Sequence, residues 1–196
     1  MAHVEVGQQA PAFRLPAGQG GEIGLADYRG RSNLVVWFTK GMACPFCRTQ
    51  MSQFARGMGR LKAVGAEVIQ VTPTKPERAR FYVKNFPIPF PYLCDPDLRV
   101  HREWGLGVRS HSLLWYLQKF QAGGKMKMPE AEIGNPKTPL TEMPSVLRDT
   151  DSAVFVLDRQ GVVRYRNSGA YVTEQGLREM PSLDEILRPL QEAPAS

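Results

Sequence analysis

Two cysteines separated by two residues are the part of this sequence best suited to chemistry. Cys44 and Cys47 flank Pro45 and Phe46, in the order Cys-Pro-Phe-Cys. A thiolate is the nucleophile both in disulfide exchange and in attack on the oxygen–oxygen bond of a peroxide. Because the unperturbed pKa of cysteine is about 8.5, a cysteine that reacts at neutral pH needs surroundings that stabilise its anion.

A buried strand that runs into a helix is predicted to supply those surroundings. Residues 33–38 form a continuous apolar run rich in β-forming residues, which is typical of a strand buried on both faces. Four apolar residues after the pair recur at helical spacings of three and four: Met51, Phe54, Met58 and Leu61. Cys44 then lies at the start of the helix, with Pro45 at a favoured first position. Free N–H groups and the helix dipole favour negative charge at that point.

Position in the helix distinguishes the two cysteines. Cys47 lies nearly one turn further in, which brings the two sulfurs within reach of a bond and leaves Cys44 at the more exposed end. Cys44 is therefore the predicted attacking residue, and Cys47 the predicted resolving residue. Lys40 and Arg48, on either side of the pair, are candidates for adding positive charge near the thiolate.

Two other uses of such a pair are a zinc site and a pair of inert buried cysteines. A closed zinc site needs four ligands, and the other candidates form no second paired motif: Cys94, His3, His101 and His111. A Cys-x-x-Cys that joins a buried strand to a helix in a β-α-β pattern favours redox use. We therefore expect no metal at this pair.

The third cysteine and the histidines have weaker claims to a role. Cys94 is interpreted as a small buried residue at the end of a strand, with a second resolving thiol as the alternative. The three histidines have no Asp, Ser or Cys partner in a recognisable arrangement along the sequence, and we interpret them as surface or packing residues.

The remaining elements predict one mixed α/β domain over residues 1–196. Strands are expected at 66–71 and 92–94, with helices opening at Pro76 and after Asp97; this alternation predicts a parallel sheet with crossover helices. Hairpins are expected around Gly20-Gly21 and around residues 158–161, and a last helix at 183–190.

Residues 107–150 form a long insertion in this pattern. The segment from Ser112 to Phe120 has the apolar residues of an amphipathic helix, and the remainder is irregular and contains four prolines: Pro129, Pro136, Pro139 and Pro144. A segment of this length is usually a lid, a binding loop or a flexible insert.

Composition narrows the class of protein. The 25 Lys and Arg against 19 Asp and Glu give a net charge of +6, but the basic residues are scattered rather than gathered in a run, which argues against nucleic-acid binding. No apolar run approaches the roughly 18 residues of a membrane span. The first residues do not resemble a secretory signal. Three cysteines are too few for a secreted disulfide scaffold, so we expect a cytoplasmic protein.

Five segments resemble the peroxiredoxin, or AhpC/TSA, family in their order and spacing. They read VGQQAPAF at residues 6–13, LADYRG at 25–30, FTKGMACPFCR at 38–48, FPYLCDP at 90–96 and VFVLDRQG at 154–161. The sequence looks closest to the branch of the family that carries Cys-Pro-x-Cys in place of a single peroxidatic cysteine. The resemblance covers about residues 4–106 and 152–190.

The resemblance implies a thioredoxin-like fold and a thiol peroxidase cycle. Cys44 would attack a hydrogen or organic peroxide and become a sulfenic acid, and Cys47 would condense with it to a disulfide. A thioredoxin-like protein or a small thiol would then reduce the pair, and the cycle would need no metal or organic cofactor. The family resemblance also implies a homodimer.

The sequence departs from the family at several positions. The usual active-site loop is Pro-x-x-x-Thr-x-x-Cys, and here Trp37 and Gly41 take the places of Pro and Thr, with Thr39 as the nearest hydroxyl. Ser152 stands in the region of the family's active-site arginine, and Arg148 lies four residues earlier. These departures keep two alternatives open: a protein disulfide oxidoreductase without efficient peroxidase activity, and a non-enzymatic redox-sensing module that binds partners through residues 107–150.

Overall fold

A computed structural model describes residues 4–110, 114, 133–134, 148–170, 172–173, 176–178 and 180–191. The strands are β1 (Arg14–Pro16), β2 (Glu22–Gly24), β3 (Asn33–Phe38), β4 (Ala66–Thr72), β5 (Tyr92–Cys94), β6 (Val108–Ser110), β7 (Arg148–Thr150), β8 (Ser152–Leu157), β9 (Val163–Gly169), β10 (Val172–Thr173) and β11 (Gly176–Leu177). The helices are α1 (Pro45–Ala63), α2 (Pro76–Asn85), α3 (Arg99–Glu103) and α4 (Leu183–Gln191). Short 3₁₀ turns cover Leu25–Asp27 and Gly41–Ala43.

A five-stranded mixed sheet in the order β5-β4-β3-β8-β9 forms the centre of the molecule. β3, β4 and β5 are parallel, as their alternation with helices predicts. β8 pairs antiparallel to β3, and β9 antiparallel to β8, which confirms the predicted hairpin. The first hairpin, β1-β2, also forms as predicted, with Gly20 and Gly21 both at positive φ in its turn. The expected mixed α/β fold is thus confirmed.

Strand β3 separates the two main apolar cores. Leu34, Val36 and Phe38 contribute to one core, while Val35 and Trp37 contribute to the other. Because side chains alternate across a strand, a continuous apolar run is what a strand covered on both faces requires. Phe38, the last residue of β3, is therefore fully buried where the strand enters the loop before Cys44.

Helix α1 follows directly and packs against α4. Pro45 stands at its first position, and Gly65, at a φ of +62°, lies just beyond its end. Gly57, which weakens the helix signal in the sequence, faces Leu183 of α4 so closely that a Cβ there would collide with it. The glycine thus allows the two helices to approach, and α4 in turn helps fix α1 on the sheet.

The predicted insertion is closed at its base by a two-stranded antiparallel ribbon, β6-β7. The side chain of Asp151 accepts a hydrogen bond from the backbone of Gly107, 2.8 Å away, which joins the two ends. The helix predicted from Ser112 to Phe120 lies outside the described residues, apart from Leu114. Within the described ranges, no helix is both long and apolar enough to cross a membrane.

Candidate active site

The two cysteines lie where β3 passes into α1. The chain leaves β3 at Phe38, makes the turn Gly41–Ala43 and enters the helix with Cys44 as its N-cap residue. Cys47 lies in the first turn of α1. This is the placement that the strand–helix pattern predicts, and it puts Cys44 beside the unpaired N–H groups of the helix start.

The pair forms a small buried cluster of its own. Cys44 is 6% exposed and Cys47 is completely buried, in the order that the sequence predicts. Both are free thiols. The side chain of Met180, from the segment before α4, packs against this cluster. A small reagent therefore reaches Cys44 first.

Arg48 is the cation of the site. Its guanidinium is largely buried and donates a hydrogen bond from Nη1 to the carbonyl oxygen of Met42, 2.8 Å away. Burial lowers the pKa of Arg48, and the neighbouring Cys44 and Cys47 act in the opposite direction because their negative charge favours the cation. The same attraction favours the thiolates, so the positive field expected from Arg48 has a structural basis.

Thr39 braces the loop before the cysteines. Its hydroxyl oxygen accepts hydrogen bonds from the backbone N–H of Gly41, at 2.7 Å, and from the side-chain amide of Gln70, at 2.9 Å. All of Thr39 is buried. The structure therefore gives Thr39 a role in holding the turn, on the side of the loop that faces β4.

The hydroxyl of Tyr92 approaches the same turn from β5. It accepts a hydrogen bond from the backbone N–H of Met42, at 3.1 Å, and lies 2.9 Å from the hydroxyl of Thr74. Gly41, at a φ of +75°, faces this oxygen so closely that a Cβ would collide with it. Position 41 thus has no side chain, and the phenol of Tyr92 fills the space beside it.

Sequence reasoning missed Gln70 and Tyr92. Gln70 carried a signal in the sequence, and Tyr92 is linked to it by strand register. Gln70 is a polar residue inside an otherwise apolar buried strand, and such a residue normally has a hydrogen-bond partner. Tyr92 pairs in register with Gln70, which pairs in turn with Trp37, so the three residues form one row across the sheet. Adjacent parallel strands therefore bring these side chains to the active-site loop.

The contact of Met180 with the two cysteines was also missed, and polar side chains lie against its sulfur. The hydroxyl of Ser152 donates to the Met180 sulfur at 3.4 Å, and the guanidinium of Arg178 lies 3.9 Å from that sulfur. Arg178 also donates to the Asn167 side-chain oxygen at 2.6 Å. A second guanidinium therefore lies beside Met180. It is close to Ser152, which stands in the region of the family's active-site arginine.

For the other predicted supporting residues, the structure gives mainly the backbone position. Lys40 caps the turn that begins at Gly41, and it is partly buried. Pro45 and Phe46 are the first two residues of α1, and their side chains lie outside the described part of the structure. Arg148 opens β7 and pairs in register with Ser110, and its side chain is likewise not described.

Cys94 lies apart from the pair. It is the last residue of β5, is completely buried and belongs to one of the main apolar cores. Burial raises the pKa of its thiol to about 11. The interpretation as a small buried residue at a strand end is confirmed.

The expectation that no histidine has an acidic partner was wrong. His101 is completely buried, and its Nδ1 lies 2.7 Å from the carboxylate of Asp95. That carboxylate also accepts hydrogen bonds from the backbone N–H groups of Arg99 and His101, each at 3.0 Å. Burial alone raises the pKa of Asp95, but the bonds from His101 outweigh it and hold the pKa below its ordinary value. The pair anchors the start of α3, and the turn through Pro96 and Asp97 brings the two residues together.

Taken together, the described side chains offer nucleophilic chemistry at Cys44. Cys44 stands at a helix start, forms one cluster with a second thiol, and is followed one turn later by the buried Arg48. In the part of the chain that the structure describes, no group of three or more His, Cys, Asp and Glu side chains could hold a metal ion.

Sequence comparison relates the chain to proteins named as peroxiredoxins. A family model described as the AhpC/TSA family matches residues 6–166. A Mycobacterium tuberculosis protein named as a peroxiredoxin is 37% identical over 99 residues, which are 50% of this chain and 62% of that protein. Peroxiredoxin Bcp of Escherichia coli is 30% identical over 106 residues, or 54% of this chain and 67% of the relative. The match thus spans less than two thirds of the mycobacterial relative.

Comparison of structures extends over more of the chain. The crystal structure of peroxidoxin BcpB from Mycobacterium tuberculosis superposes with a TM-score of 0.60, at 17% identity, and covers 85% of this chain and 86% of that one. At this identity the likeness concerns the fold. It shows the thioredoxin-like architecture that the sequence resemblance implies.

Proposed function

Because the chain belongs to the AhpC/TSA family, we propose that it is a thiol-dependent peroxidase in which Cys44 attacks the peroxide and Cys47 resolves the product. The observation that carries this proposal is the placement of Cys44 at the N-cap of α1, with the buried Arg48 one helical turn further on and bonded to the Met42 carbonyl. Relatives named as peroxiredoxins support the reaction class.

The proposed cycle balances as a two-electron reduction. The Cys44 thiolate attacks one oxygen of the peroxide, the oxygen–oxygen bond breaks, and the leaving oxygen takes a proton to become water or an alcohol. The Cys47 thiol then attacks the Cys44 sulfenic acid, which forms a disulfide and releases water. Two thiols of an external donor reduce this disulfide and are themselves oxidised.

The described side chains favour different roles for the two sulfurs, attack by Cys44 and resolution by Cys47. The cation of Arg48 and the helix start favour the Cys44 thiolate, and the same groups favour the negative charge that develops on the leaving oxygen. Cys47 is completely buried whereas Cys44 is slightly exposed, so peroxide should reach Cys44 first. The opposite order of attack would require peroxide to reach the buried thiol.

The substrates and partners belong to this proposal. We propose hydrogen or organic peroxides as oxidants and a thioredoxin-like protein or a small thiol as the reductant. A homodimer is proposed from the family relationship. Supporting roles for Lys40, Pro45, Phe46 and Arg148 are proposed from their sequence positions. Thr39 supports the loop through its contacts with Gly41 and Gln70.

The test is a single-turnover reaction of the reduced protein with one molar equivalent of hydrogen peroxide, and separately of an organic peroxide. Free thiols and intact mass are followed over time. We expect rapid loss of two thiols and of the mass of two hydrogen atoms. The variant Cys47→Ser should trap a sulfenic acid at Cys44, seen as the added mass of one oxygen, and Cys44→Ser should not react rapidly.

Oxidation no faster than that of a free thiol would overturn the proposal. If such a protein still exchanged rapidly with a disulfide substrate, it would be a protein disulfide oxidoreductase. Gly41 stands where the family has a hydroxyl-bearing residue. The loop therefore lacks one hydrogen-bond donor, and this favours that alternative. If Cys44→Ser retained full function in a binding assay and deletion within residues 107–150 abolished it, the chain would be a binding module.

A further inference from the structure

The backbone of Met42 links Tyr92 to Arg48. Its N–H, in the Gly41–Met42 peptide, donates to the hydroxyl of Tyr92 at 3.1 Å, and its carbonyl oxygen, in the next peptide, accepts from Arg48 at 2.8 Å. Met42 is completely buried, so neither bond competes with solvent. A continuous chain of contacts therefore runs from Tyr92 on β5, through the backbone of one residue, to the Arg48 guanidinium.

The same hydroxyl determines the shape of the turn. Gly41 has a φ of +75°, and a Cβ at this position would collide with the Tyr92 oxygen and lie 2.9 Å from the hydroxyl of Thr74. The turn ends in a hydrogen bond from the backbone N–H of Cys44 to the carbonyl oxygen of Gly41, at 3.1 Å. Tyr92 thus lies against two of the three residues of the turn before Cys44, and Thr74, 2.9 Å from its oxygen, holds the phenol in place.

We propose that Tyr92 is a positioning residue for Cys44: the Tyr92 hydroxyl holds the backbone of Met42 and, through it, the Arg48 guanidinium near the two thiols. The proposal rests on the proposed function only in naming Cys44 as the reacting thiol. Tyr92 itself acts through the Met42 backbone and need not touch the peroxide.

Removal of the hydroxyl has a defined consequence. The N–H of Met42 would be left buried without an acceptor, and the Gly41–Met42 peptide would turn to find one. Because this rotation moves the Cα of Met42, the carbonyl oxygen of the following peptide would then move away from Arg48. Among the described residues, Cys47 and Arg48 on α1 neighbour Cys44, Lys40 begins the turn before it, and Arg178 contacts Met180. Of these, Arg48 is the one that the Tyr92 contact controls, so the Cys44 thiolate should lose part of its stabilisation.

The experiment measures the rate of alkylation of Cys44 by iodoacetamide against pH, with peptide mapping to assign the label. The midpoint of this profile reports the stability of the thiolate, and the plateau at high pH reports access of the reagent. For Tyr92→Phe we expect a higher midpoint and a rate near pH 7 about threefold to tenfold lower, since a single buried hydrogen bond is lost. The plateau should stay close to that of the unmodified protein. Because burial raises the pKa of Tyr92 itself, its own ionisation does not enter the profile.

Two further variants make the result specific. Tyr28→Phe removes a phenol hydroxyl at the opposite end of β3, beside the first core, and should leave the midpoint unchanged. Thr74→Val keeps the phenol and removes the partner of its hydroxyl, and should shift the midpoint in the same direction by a smaller amount.

An unchanged midpoint in a folded Tyr92→Phe protein, or a change confined to the plateau, would overturn the proposal. Should Tyr92→Phe fail to fold, Thr74→Val decides: a midpoint equal to that of the unmodified protein would overturn it. Alkylation requires no peroxide, so the outcome is independent of the test of the peroxidase. A protein that does not reduce peroxide can still show the shift, and a true peroxidase can lack it.

Discussion

Arg48 lies one helical turn beyond Cys44 and donates from Nη1 to the carbonyl oxygen of Met42, at 2.8 Å. The bond ties the first turn of α1 to the loop that precedes it. Because the guanidinium is largely buried and neighbours both cysteines, its charge acts over a short distance with little screening.

Replacement of this cation should therefore change the reactivity of Cys44. For Arg48→Gln we expect the midpoint of the Cys44 alkylation profile to rise by about one to three pH units, because a neighbouring opposite charge lowers the pKa of an acidic group by that amount. The rate of reaction with peroxide near pH 7 should fall by about tenfold or more. Arg56→Gln, at an exposed position of the same helix, is the control and should change neither quantity. An unchanged midpoint of the Cys44 alkylation profile in Arg48→Gln would exclude Arg48 as the group that stabilises the Cys44 thiolate.

Replacement of Gly41 should show how tightly Tyr92 packs on the turn. Gly41→Ala meets both a left-handed backbone and the Tyr92 hydroxyl, whereas Gly30→Ala, at the same φ of +75°, meets no atom within 4 Å. Each should lose about 1–2 kcal/mol of unfolding free energy to backbone strain, and Gly41→Ala about 1–3 kcal/mol more to the collision.

Urea unfolding of the single and double variants separates the two contributions. In the Tyr92→Phe background the hydroxyl is absent, so the cost of Gly41→Ala should fall by about 1 kcal/mol. Equal costs for Gly41→Ala and Gly30→Ala, or strict additivity with Tyr92→Phe, would contradict the close packing described above.

The buried Asp95 carboxylate should make stability depend on pH. Its pKa is held below the unfolded value of about 3.9 by hydrogen bonds from His101 that outweigh burial. Such a group stabilises the fold above the unfolded pKa, and its contribution is lost as pH falls through the folded pKa. Asp95→Asn should therefore lower the unfolding free energy by about 2–4 kcal/mol at neutral pH.

Denaturant titrations between about pH 7 and pH 3 test the sign of this effect. The difference in unfolding free energy between the unmodified protein and Asp95→Asn should narrow as pH falls below about 4. Asp97→Asn, at an exposed position in the same turn, should stay within about 0.5 kcal/mol of the unmodified protein throughout. A difference that widened in acid would show that the sign is wrong.

Met180 should protect the cysteine pair from reagents. Its side chain packs on the cluster of Cys44 and Cys47 and is only partly buried, so Met180→Ala should cost about 1–2 kcal/mol, less than truncation of a fully buried methionine. Labelling of Cys47 in the folded protein should become faster. Met180→Leu retains a side chain of similar volume and should label at nearly the original rate. Equal labelling of Cys47 in the two variants would mean that Met180 does not cover it.

Cys94 should take no part in the redox reaction. Burial raises its pKa to about 11, so at neutral pH it is a thiol without access to solvent. Peroxide should leave Cys94 reduced while the other two cysteines are lost, as thiol titration before and after denaturation would show. Cys94→Ala should retain the full rate of peroxide reduction. Rapid oxidation of Cys94 in the folded protein would reopen the interpretation of Cys94 as a second resolving thiol.

Sequence patterns predicted the elements around the site because each pattern is local. The apolar run of β3 and the helical spacing after Cys47 each reflect burial that a strand or a helix imposes on its own residues. The hairpin β8-β9 is local in the same sense, since its two strands adjoin one turn. The short hairpin β10-β11 was not predicted, because two residues in each strand are too few to show a period.

Contacts between distant residues were beyond the reach of these patterns. Asp95 and His101 are six residues apart, yet only the turn before α3, with Leu98 at a φ of +57°, brings the carboxylate onto the imidazole. Met180 is separated from Cys47 by most of the chain, and no periodicity links them. Such pairs depend on where whole elements pack.

By itself, the sequence determined the thiol pair, its place at the junction of a buried strand and a helix, and the family to which the chain belongs. Those features depend on residue type and short spacing. The tertiary structure alone decided which groups surround the thiols: Arg48 turned back on Met42, Tyr92 against Gly41, and Met180 over the pair. The physical reason is that the reactivity of a thiol depends on charges and hydrogen bonds within a few ångströms, and parallel strands and packed helices bring those groups together from distant parts of the chain.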